Sequence, residues 1–322
     1  SKILLSNTYH LYIRPGTEIL EKAGGLHKFM NWDGIILTDS GGYQVYSLQG
    51  MRKISNDGVT FQSHLDGSKH HFTPEKVVDI QRSIGSDIMM MLDVCPPGDA
   101  NKAKWIEALN LTTEWAKRAK RHFDETEPLY GHNQIISPIV QGGTDLELRK
   151  QSALELMDID CEMYAIGGLA VGEPKPEMLK VVNFLDNILP KNKPRYLMGV
   201  GTPADLIENI LNGVDMFDCV IPTRNARNSQ LFSYDGKINI RNSRYKDDFN
   251  PIDNNGFSVS SELYSKAYLH HLFKTNEVLG LRIATEHNLK FYIHLMNEVR
   301  IQIKNDNFEK WAKEFLERYN NE

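Results

Sequence analysis

Carboxylate, amide and histidine side chains recur in this chain at the points where short apolar runs end. In chain order the residues at these points are Asn7, His10, Asp39, Asp93, Gln141, Gly167, Gly168, Met198 and Asp218. If the runs are parallel strands of one sheet, their carboxyl ends meet at one edge, where α/β proteins place functional residues. A single Asp after a strand is commonly a capping or loop residue, but three at three strand ends favour a functional site.

The residue types at these strand ends suggest chemistry on a glycosidic bond. Two carboxylates in one site can divide the roles of nucleophile and general acid/base, and a carboxylate nucleophile suits attack on an anomeric carbon. A third Asp beside a Gln can pair with the polar edge of a purine. The turn Ser40-Gly41-Gly42 lets a flat ligand approach the backbone closely. Tyr43 then either stacks on that ligand or is an ordinary core aromatic.

The elements that must position these residues alternate along the chain. The sequence predicts strands at residues 2–7, 35–39, 87–93, 134–141, 163–167, 195–199 and 214–218. It predicts helices from Thr73-Pro74-Glu75 onward and near residues 101–123, 145–157, 175–189 and 202–212. This alternation favours βαβ units and a parallel sheet. Seven strands are one short of a closed (β/α)8 TIM barrel, so we expect a first strand and helix before residue 1. An open doubly wound sheet is the alternative.

Two segments break the alternation. Residues 44–72 carry turn signals between short alternating stretches and predict inserted β-hairpins. Residues 230–240 predict another hairpin, followed by helices near 260–275, 286–303 and 307–320. We expect one domain over residues 1–322, with residues 229–275 as an inserted or appended part of a C-terminal helical subdomain.

Composition narrows the class of protein. The 322 residues are 41% hydrophobic and 25% charged, as in soluble globular proteins. No apolar run approaches the roughly 20 residues that span a bilayer, so no membrane association is expected. The three cysteines, Cys95, Cys161 and Cys219, are too few and too scattered for a disulfide framework, which favours a reducing cytoplasm.

Charge is unevenly distributed along the chain. The formal net charge is -5, which by itself argues against binding to nucleic acid. Between residues 224 and 246, however, the basic residues outnumber the single acid, Asp235; they are Arg224, Arg227, Lys237, Arg241, Arg244 and Lys246. This segment is either a solvated surface or a site for a polyanion.

Several long motifs give the chain a resemblance to a known family. They are SNTYHLYIRPG (6–16), ILTDSGGYQVYSL (36–48), PIVQGG (138–143), AIGGLAVGEP (165–174), RYLMGVGTP (195–203) and GVDMFDCVIPTRNARN (213–228). With these motifs, in this order, the sequence resembles the tRNA-guanine transglycosylases, most closely the bacterial type. The resemblance extends to residues 287–296 and so covers nearly the whole chain.

The resemblance implies a division of roles within the site. Asp218 is similar to the nucleophile that attacks C1′ of guanosine 34 in tRNA, forming a covalent intermediate, and Asp39 to the general acid/base. A base pocket is implied at Asp39, Ser40, Gly41, Gly42, Tyr43, Asp93, Gln141, Gly168, Leu169 and Met198. In this pocket Tyr43 and Met198 would sandwich a base that has been flipped out of its stack.

The resemblance also implies loops that contact tRNA. The corresponding residues are Gly199, Val200, Gly201, Thr202, Pro203, Ala204, Asp205, Thr223, Arg224, Asn225, Ala226 and Arg227. Arg224 and Arg227 would contact phosphates or bases of the anticodon loop. The expected partners are tRNAs with GUN anticodons and a second copy of the chain.

The choice of incoming base follows from two positions. Cys95 and Val171 match residues typical of the bacterial enzymes, whereas eukaryotic relatives that accept queuine have a smaller residue at the position of Val171. A β-branched side chain there fills the space that a cyclopentenyl group needs. We therefore expect 7-aminomethyl-7-deazaguanine (preQ1) rather than queuine.

The sequence departs from the family pattern at its structural zinc site. Where the family has C-x-C-x-x-C and a later histidine, this chain has Gly256, Ser258, Ser261 and His287. One imidazole cannot hold a structural zinc, and hydroxyls are poor zinc ligands. We expect neither metal nor any other cofactor. The arginine motif also changes, because residues 224–229 lack its two usual glycines.

Three other functions fit some of these features. A non-catalytic paralogue that binds tRNA or a catalytic subunit would account for the lost zinc cysteines, but not for the retention of Asp39, Asp93, Gln141 and Asp218 together. A relative that modifies another tRNA position usually carries further RNA-binding domains. An unrelated barrel enzyme acting on a small molecule leaves the basic segment unexplained.

Overall fold

The computed structural model describes residues 1–47, 52–255 and 258–320, without the side chains of residues 46 and 47. The chain folds into two compact units. The first contains Ser1–Met198 and Asn212–Met216, and the second contains Gly199–Leu211 and Phe217–Glu322. The expected subdomain at residues 229–275 lies within the second unit, and its boundaries stay a prediction.

The first unit contains most of the strands. They are β1 (Ile3–Asn7), β2 (Ile35–Asp39), β3 (Arg52–Ile54), β4 (Val59–Gln62), β5 (Lys69–Phe72), β6 (Ile88–Met90), β7 (Ile135–Ser137), β8 (Ile139–Val140), β9 (Tyr164–Ile166), β10 (Arg195–Leu197) and β11 (Met216–Phe217), which starts in this unit. Its helices are α1 (Thr8–Ile13), α2 (Thr17–Ala23), α3 (Leu26–Met30), α4 (Gly42–Ser47), α5 (Pro74–Ile84), α6 (Lys102–Glu125), α7 (Leu146–Met157) and α8 (Lys175–Asp186).

The seven predicted strands are all present, in two sheets ordered β1-β2-β6-β7 and β8-β9-β10-β11. The pairs β1–β2, β2–β6, β6–β7, β8–β9 and β9–β10 are parallel, as expected. Pro138 separates β7 from β8 because it has no N–H to donate to a ladder. Some predicted boundaries were too long: β6 ends at Met90 rather than at residue 93, and β11 contains only Met216 and Phe217.

Both faces of the parallel strands are buried. Leu37, Met90 and Ile139 belong to a cluster on one face, whereas Ile36 packs into a second cluster that includes Val77 of α5. Burial on both faces explains why the strands appear in the sequence as continuous apolar runs rather than as alternating patterns. The predicted βαβ organisation is therefore confirmed for this unit.

Capping residues explain where the longer helices begin and end. The Thr73 side chain accepts a hydrogen bond from Lys76 N at 3.2 Å, Pro74 occupies the first helical position, and α5 ends at Gly85 in the left-handed conformation. Asn101 and Asp145 cap α6 and α7 in the same way. These signals allowed the helices to be predicted to within a few residues.

Short helices in the first unit were not predicted. Helices α1 to α4 have five to seven residues each, too few to show a 3.6-residue apolar period. The inserted strands β3, β4 and β5, by contrast, form the expected antiparallel sheet. Residues 48–51 of the predicted insertion lie outside the described residues.

The second unit is mainly helical. Its elements are α9 (Pro203–Leu211), α10 (Ile221–Arg227), β12 (Gln230–Ser233), β13 (Gly236–Asn239), a 3-10 turn (Ser243–Tyr245), α11 (Val259–Leu263), α12 (Lys266–Lys274), α13 (Val278–Lys304) and α14 (Phe308–Asn320). Strands β12 and β13 form the predicted hairpin. Phe232, Phe291 and Phe315 lie in the core that joins the hairpin to the last two helices.

Three predictions for the second unit need correction. The helix expected at 260–275 is two helices, because the chain is extended at Tyr264 and Ser265 caps a new helix. The helix expected to start at residue 286 begins at Val278. Helix α10 was not predicted. No helix in the described parts of the chain is long and apolar enough to cross a bilayer.

Candidate active site

Asp39 ends strand β2, and hydrogen bonds from neighbouring groups hold its carboxylate. Asn7 Nδ2 donates to Oδ2 at 2.5 Å, while Thr8 N and Gly41 N donate to Oδ1 at 3.2 and 3.0 Å. The parallel register pairs Asn7 with Asp39, so the end of β1 supplies the first donor. Gly41 has φ +77°, which an L side chain rarely adopts. The Ser40-Gly41-Gly42 turn therefore fixes an acidic group at the sheet edge.

Asp93 lies in the extended segment after β6 and joins two other predicted site residues. Gln141 Nε2 donates to its Oδ2 at 2.7 Å, and Ser40 Oγ donates to its Oδ1 at 3.3 Å. Burial raises the pKa of Asp93 to about 6, against the lowering effect of these two hydrogen bonds. Gly42 packs closely here, since a Cβ would come within 2.9 Å of the Asp93 carbonyl oxygen.

The amide of Gln141 leaves a buried acceptor open. Gln141 is only 1% exposed, and its Oε1 has no hydrogen-bond partner among the described residues. A Cβ on Gly168 would lie 2.5 Å from this oxygen, so Oε1 faces the backbone of Gly168. A buried acceptor without a donor costs about 1–3 kcal/mol. The site therefore offers a ready partner for a ligand N–H.

The two residues expected to sandwich a base differ in exposure. Tyr43 on α4 is 55% exposed, which excludes the alternative that it is a core aromatic. Met198 follows β10, is half-buried and packs against the cluster that contains Leu37 and Met90. Its sulfur lies 3.7 Å from the position that a Cβ on Gly167 would take. His10, expected near the end of β1, lies in α1 and is exposed.

Asp218 belongs to the second unit, where it follows β11. Its Oδ1 accepts a hydrogen bond from Gly199 N at 2.8 Å. The next residue, Cys219, also has a side chain that can act as a nucleophile. Burial, however, raises the pKa of its thiol to about 11. The Cys219 thiol also points to Gly201 O at 3.4 Å. At neutral pH the thiol of Cys219 therefore stays protonated and is a poor nucleophile.

Sequence comparisons identify the family. A model described as queuine tRNA-ribosyltransferase matches residues 1–321. The chain belongs to the queuine tRNA-ribosyltransferase family. Proteins named queuine tRNA-ribosyltransferase in Caldanaerobacter subterraneus and Thermoanaerobacter pseudethanolicus are 54% and 53% identical over 98% of this chain and 83% of their own length. The one from Bacillus pumilus is 50% identical over 98% of this chain and 82% of its own. The resemblance inferred from the motifs is confirmed.

The segment at 199–205, which the resemblance predicts to contact RNA, belongs to the second unit and is held there by hydrogen bonds. Tyr292 donates its hydroxyl to Gly201 O at 2.8 Å. Thr202 accepts from Asp205 N at 3.2 Å and caps α9. Val200 and Ala204 are buried, so their side chains are not available to a ligand.

The second expected RNA segment, Thr223–Arg227, is not a loop. It forms most of α10, a helix preceded by Val220 and carrying Pro222 in its first turn. Arg224 and Arg227 are exposed, whereas Ala226 is fully buried in the core. An alanine therefore replaces the family's glycine without strain at this helical position. Ser229, at the other altered position, has φ +64° and is the strained replacement.

The positions of the family's zinc ligands do not fit a metal. His287 is fully buried; its Nε2 is 2.8 Å from Phe232 O and its Nδ1 is 2.7 Å from Ser261 Oγ. Because a carbonyl oxygen can only accept, Nε2 carries the proton and Nδ1 accepts from the serine hydroxyl. Ser258 points to Glu286 at 3.5 Å. Gly256 lies outside the described residues. Elsewhere too, the described residues contain no cluster of three metal-binding side chains.

Sequence reasoning did not predict Arg149. This residue is 0% exposed on α7, and its guanidinium lies beneath the ends of β8 and β9. A signal for it was available, because Arg149 shares a helical face with Ala153 and Leu156, both fully buried. A lone charge on an apolar helical face indicates a buried polar contact.

Proposed function

We propose that this protein exchanges guanine 34 of tRNAs with GUN anticodons for 7-aminomethyl-7-deazaguanine, as a step in queuosine biosynthesis. The reaction class is that of the family, a pentosyl transfer that exchanges a base in tRNA. The observation that carries the proposal is the hydrogen-bonded pair of Asp93 and Gln141, together with Gln141 Oε1, which faces Gly168 and has no hydrogen-bond partner among the described residues. A purine edge offers N–H donors for the oxygen atoms of Asp93 and Gln141, and a carbonyl acceptor for nearby backbone N–H groups.

Base recognition follows from the polarity of this group. Asp93 and Gln141 Oε1 would accept hydrogen bonds from the N–H groups of a guanine edge. The backbone N–H groups of Gly168 and Leu169 would donate to its carbonyl oxygen. Tyr43 and Met198 would cover the two faces of the ring. Burial supports tight recognition, because unpaired polar groups would penalise any base that lacks the matching edge.

Asp218 is the proposed nucleophile. Its carboxylate attacks C1′ of the ribose, the C1′–N9 bond breaks, and the bonding electron pair leaves with guanine. Asp39 donates a proton to the departing base. The incoming base then loses its N9 proton to Asp39 and attacks C1′, which releases the Asp218 carboxylate. The three donors around Asp39 support this role because they orient the carboxyl group.

The small amine-bearing base is the proposed incoming substrate. Val171 N and Ala170 N both donate to the carboxylate of Glu173, at 3.0 Å in the case of Val171, and this clamps the turn that carries the β-branched side chain. A rigid Val171 would exclude the cyclopentenyl group of queuine. Comparable exchange rates for queuine and the aminomethyl base would contradict this assignment.

Further parts of the proposal concern architecture and partners. The parallel strands would belong to a (β/α)8 barrel, with the helical second unit folding without zinc. Exposed Arg224 and Arg227 on α10 would bind the anticodon loop. The enzyme would act as a homodimer in the cytoplasm, and its three free cysteines fit a reducing compartment.

The test is exchange of labelled guanine out of an anticodon stem-loop with a U-G-U sequence. Wild type should exchange, and Asp218→Asn should not. Asp215→Asn is the matched control, because Asp215 is an exposed carboxylate in the same segment that only accepts a hydrogen bond from Arg195 N at 2.9 Å. Without an incoming base, wild type should form an RNA adduct that survives denaturing electrophoresis, and Asp218→Asn should form none. RNA binding without exchange by wild type would instead favour a non-catalytic paralogue.

A further inference from the structure

Arg149 is a buried charge without a salt-bridge partner among the described residues, although the carboxylate of Glu173 lies close enough to raise its pKa. Its side chain is 0% exposed, and within the described parts of the chain it forms no salt bridge. Burial lowers the pKa of its guanidinium to about 10, so it remains positively charged at neutral pH. Nature rarely buries an arginine unpaired, because the desolvation of a charge is costly. The positive charge therefore needs an explanation beyond packing.

The donors of Arg149 are all directed at backbone carbonyl groups. Nε donates to Gly143 O at 2.7 Å, and Nη1 donates to Val140 O and Gly167 O, both at 2.7 Å. Nη2 donates to Gly168 O at 3.2 Å. One guanidinium thus ties the strand end that carries Gln141 to the Gly167-Gly168 turn.

Two of these carbonyl groups belong to the peptide units whose N–H groups are assigned above to the base. The peptide unit with Gly167 O carries the N–H of Gly168, and the unit with Gly168 O carries the N–H of Leu169. A hydrogen bond accepted by a peptide C=O polarises the N–H of the same unit and strengthens it as a donor. Arg149 therefore acts on both backbone donors assigned above to the base.

The electrostatics favour a base that becomes negative. When the C1′–N9 bond breaks, the departing purine takes the electron pair, and part of that charge reaches its carbonyl oxygen. The polarised N–H groups and the positive charge behind them stabilise this anion more than the neutral base, which is the condition for lowering a barrier. A neutral residue at position 149 could fill the space but could not supply this field.

We propose that Arg149 is a positioning residue that strengthens the Gly168 and Leu169 N–H donors and so stabilises the departing base as an anion. The inference rests on the proposed function. It assigns to α7 a role in the chemical step rather than in the fold alone. It also accounts for an unpaired buried charge directly beneath the turn.

The test compares Arg149→Met and Arg149→Lys with wild type in the stem-loop exchange assay. Arg149→Met should lower kcat by roughly 10- to 100-fold, less than the loss of a direct oxyanion donor, while KM for RNA changes little. Arg149→Lys keeps the positive charge but not the planar guanidinium with its several donors. Its kcat should therefore lie between those of wild type and Arg149→Met. Arg82→Met is the matched control. Arg82 is also buried and donates to Phe123 O and Thr126 O at 2.8 Å, but it contacts none of the predicted site residues.

The decisive measurement varies the departing base. A stem-loop with 8-azaguanine at the exchanged position has a leaving group that carries negative charge more easily. The defects of Arg149→Met and Arg149→Lys should shrink at least severalfold with this RNA, whereas a structural defect, as expected for Arg82→Met, should be equal for both RNAs.

Each outcome separates the inference from the proposed function. If wild type does not exchange guanine, the proposed function fails. If wild type exchanges and the defect at position 149 is absent or does not depend on the departing base, the inference is wrong. If Arg149→Met does not fold, Arg149→Lys decides, and wild-type kcat with both RNAs would overturn the role proposed for Arg149.

Discussion

Replacement of Asp93 by Asn should stabilise the free protein while it removes base binding. Burial of the carboxyl group of Asp93 raises its pKa from the ordinary 3.8 to about 6. Each tenfold change in proton affinity corresponds to about 1.4 kcal/mol, so ionisation of Asp93 costs the folded state about 3 kcal/mol. The asparagine side chain would be neutral and of the same shape, and its amide oxygen would accept the hydrogen bond that Gln141 Nε2 now donates to the carboxylate.

The sign of the pH dependence follows from linkage. Well below pH 3.8 the wild-type carboxyl is protonated in both the folded and the unfolded protein, and no cost arises. As pH rises from 3.8 to about 6, the unfolded chain releases its proton first, so wild type loses stability. The loss is complete once the pH is above the folded pKa of about 6. The stability difference between Asp93→Asn and wild type should therefore be small at about pH 4 and reach about 3 kcal/mol at about pH 7 and above.

Urea unfolding followed by tryptophan fluorescence measures this difference. Three of the four tryptophans, Trp32, Trp105 and Trp115, lie in the first unit with Asp93. Asp39→Asn is the contrasting control, because its carboxylate accepts from three donors and the substitution should destabilise the protein. A stability difference for Asp93→Asn that is equal at pH 4 and pH 8, or that favours wild type at pH 8, would refute the reasoning.

Three further substitutions follow from single contacts. Ser229→Gly should raise the free energy of unfolding by about 1 kcal/mol, measured in urea, because φ +64° suits glycine. Gly168→Ala should raise the inhibition constant of free guanine more than about tenfold, since its Cβ would lie 2.5 Å from Gln141 Oε1; unchanged inhibition would exclude contact with that turn. Ser261→Ala should lower stability by about 1–3 kcal/mol by removing the donor to His287 Nδ1. Chelator should not change the melting temperature of wild type, and one bound zinc per chain by metal analysis would contradict the prediction of a zinc-free subdomain.

The parallel strands and the longer helices were predictable because their signals are local. Continuous apolar runs mark strands buried on both faces, and Thr73-Pro74 or Asn101 mark helix starts within the sequence itself. The short helices α1 to α4 and α10 are too short to show an apolar period, although Asn7 caps α1 and Pro222 lies in the first turn of α10. Helices α2 and α3 end at Gly24 and Asn31, which are in left-handed conformations.

The strand-end rule also located the candidate site. It selected Asp39, Asp93 and Gln141. The structure hydrogen-bonds Asp93 to Gln141 and to Ser40, the residue that follows Asp39 in the chain. The rule could not predict the protonation of Asp93 or the hydrogen bonding of Gln141. The raised pKa of Asp93 and the open oxygen of Gln141 depend on how much water the folded site excludes, and residue types alone do not encode that.

The positions of the family's zinc ligands also show what the sequence can and cannot predict. The missing cysteines predict a subdomain that folds without metal, with His287 as a packed or hydrogen-bonded histidine. The structure adds the partners, since Ser261 donates to the ring nitrogen of His287 that is left without a proton, while Phe232 O accepts the proton on the other nitrogen. Burial lowers the pKa of His287 and keeps the ring neutral, so no charge opposes its position in the core. A neutral histidine with both ring nitrogens hydrogen-bonded can join α11, β12 and α13 without a cation. If Ser261 did not face Nδ1 of His287, that buried nitrogen would have no hydrogen-bond partner.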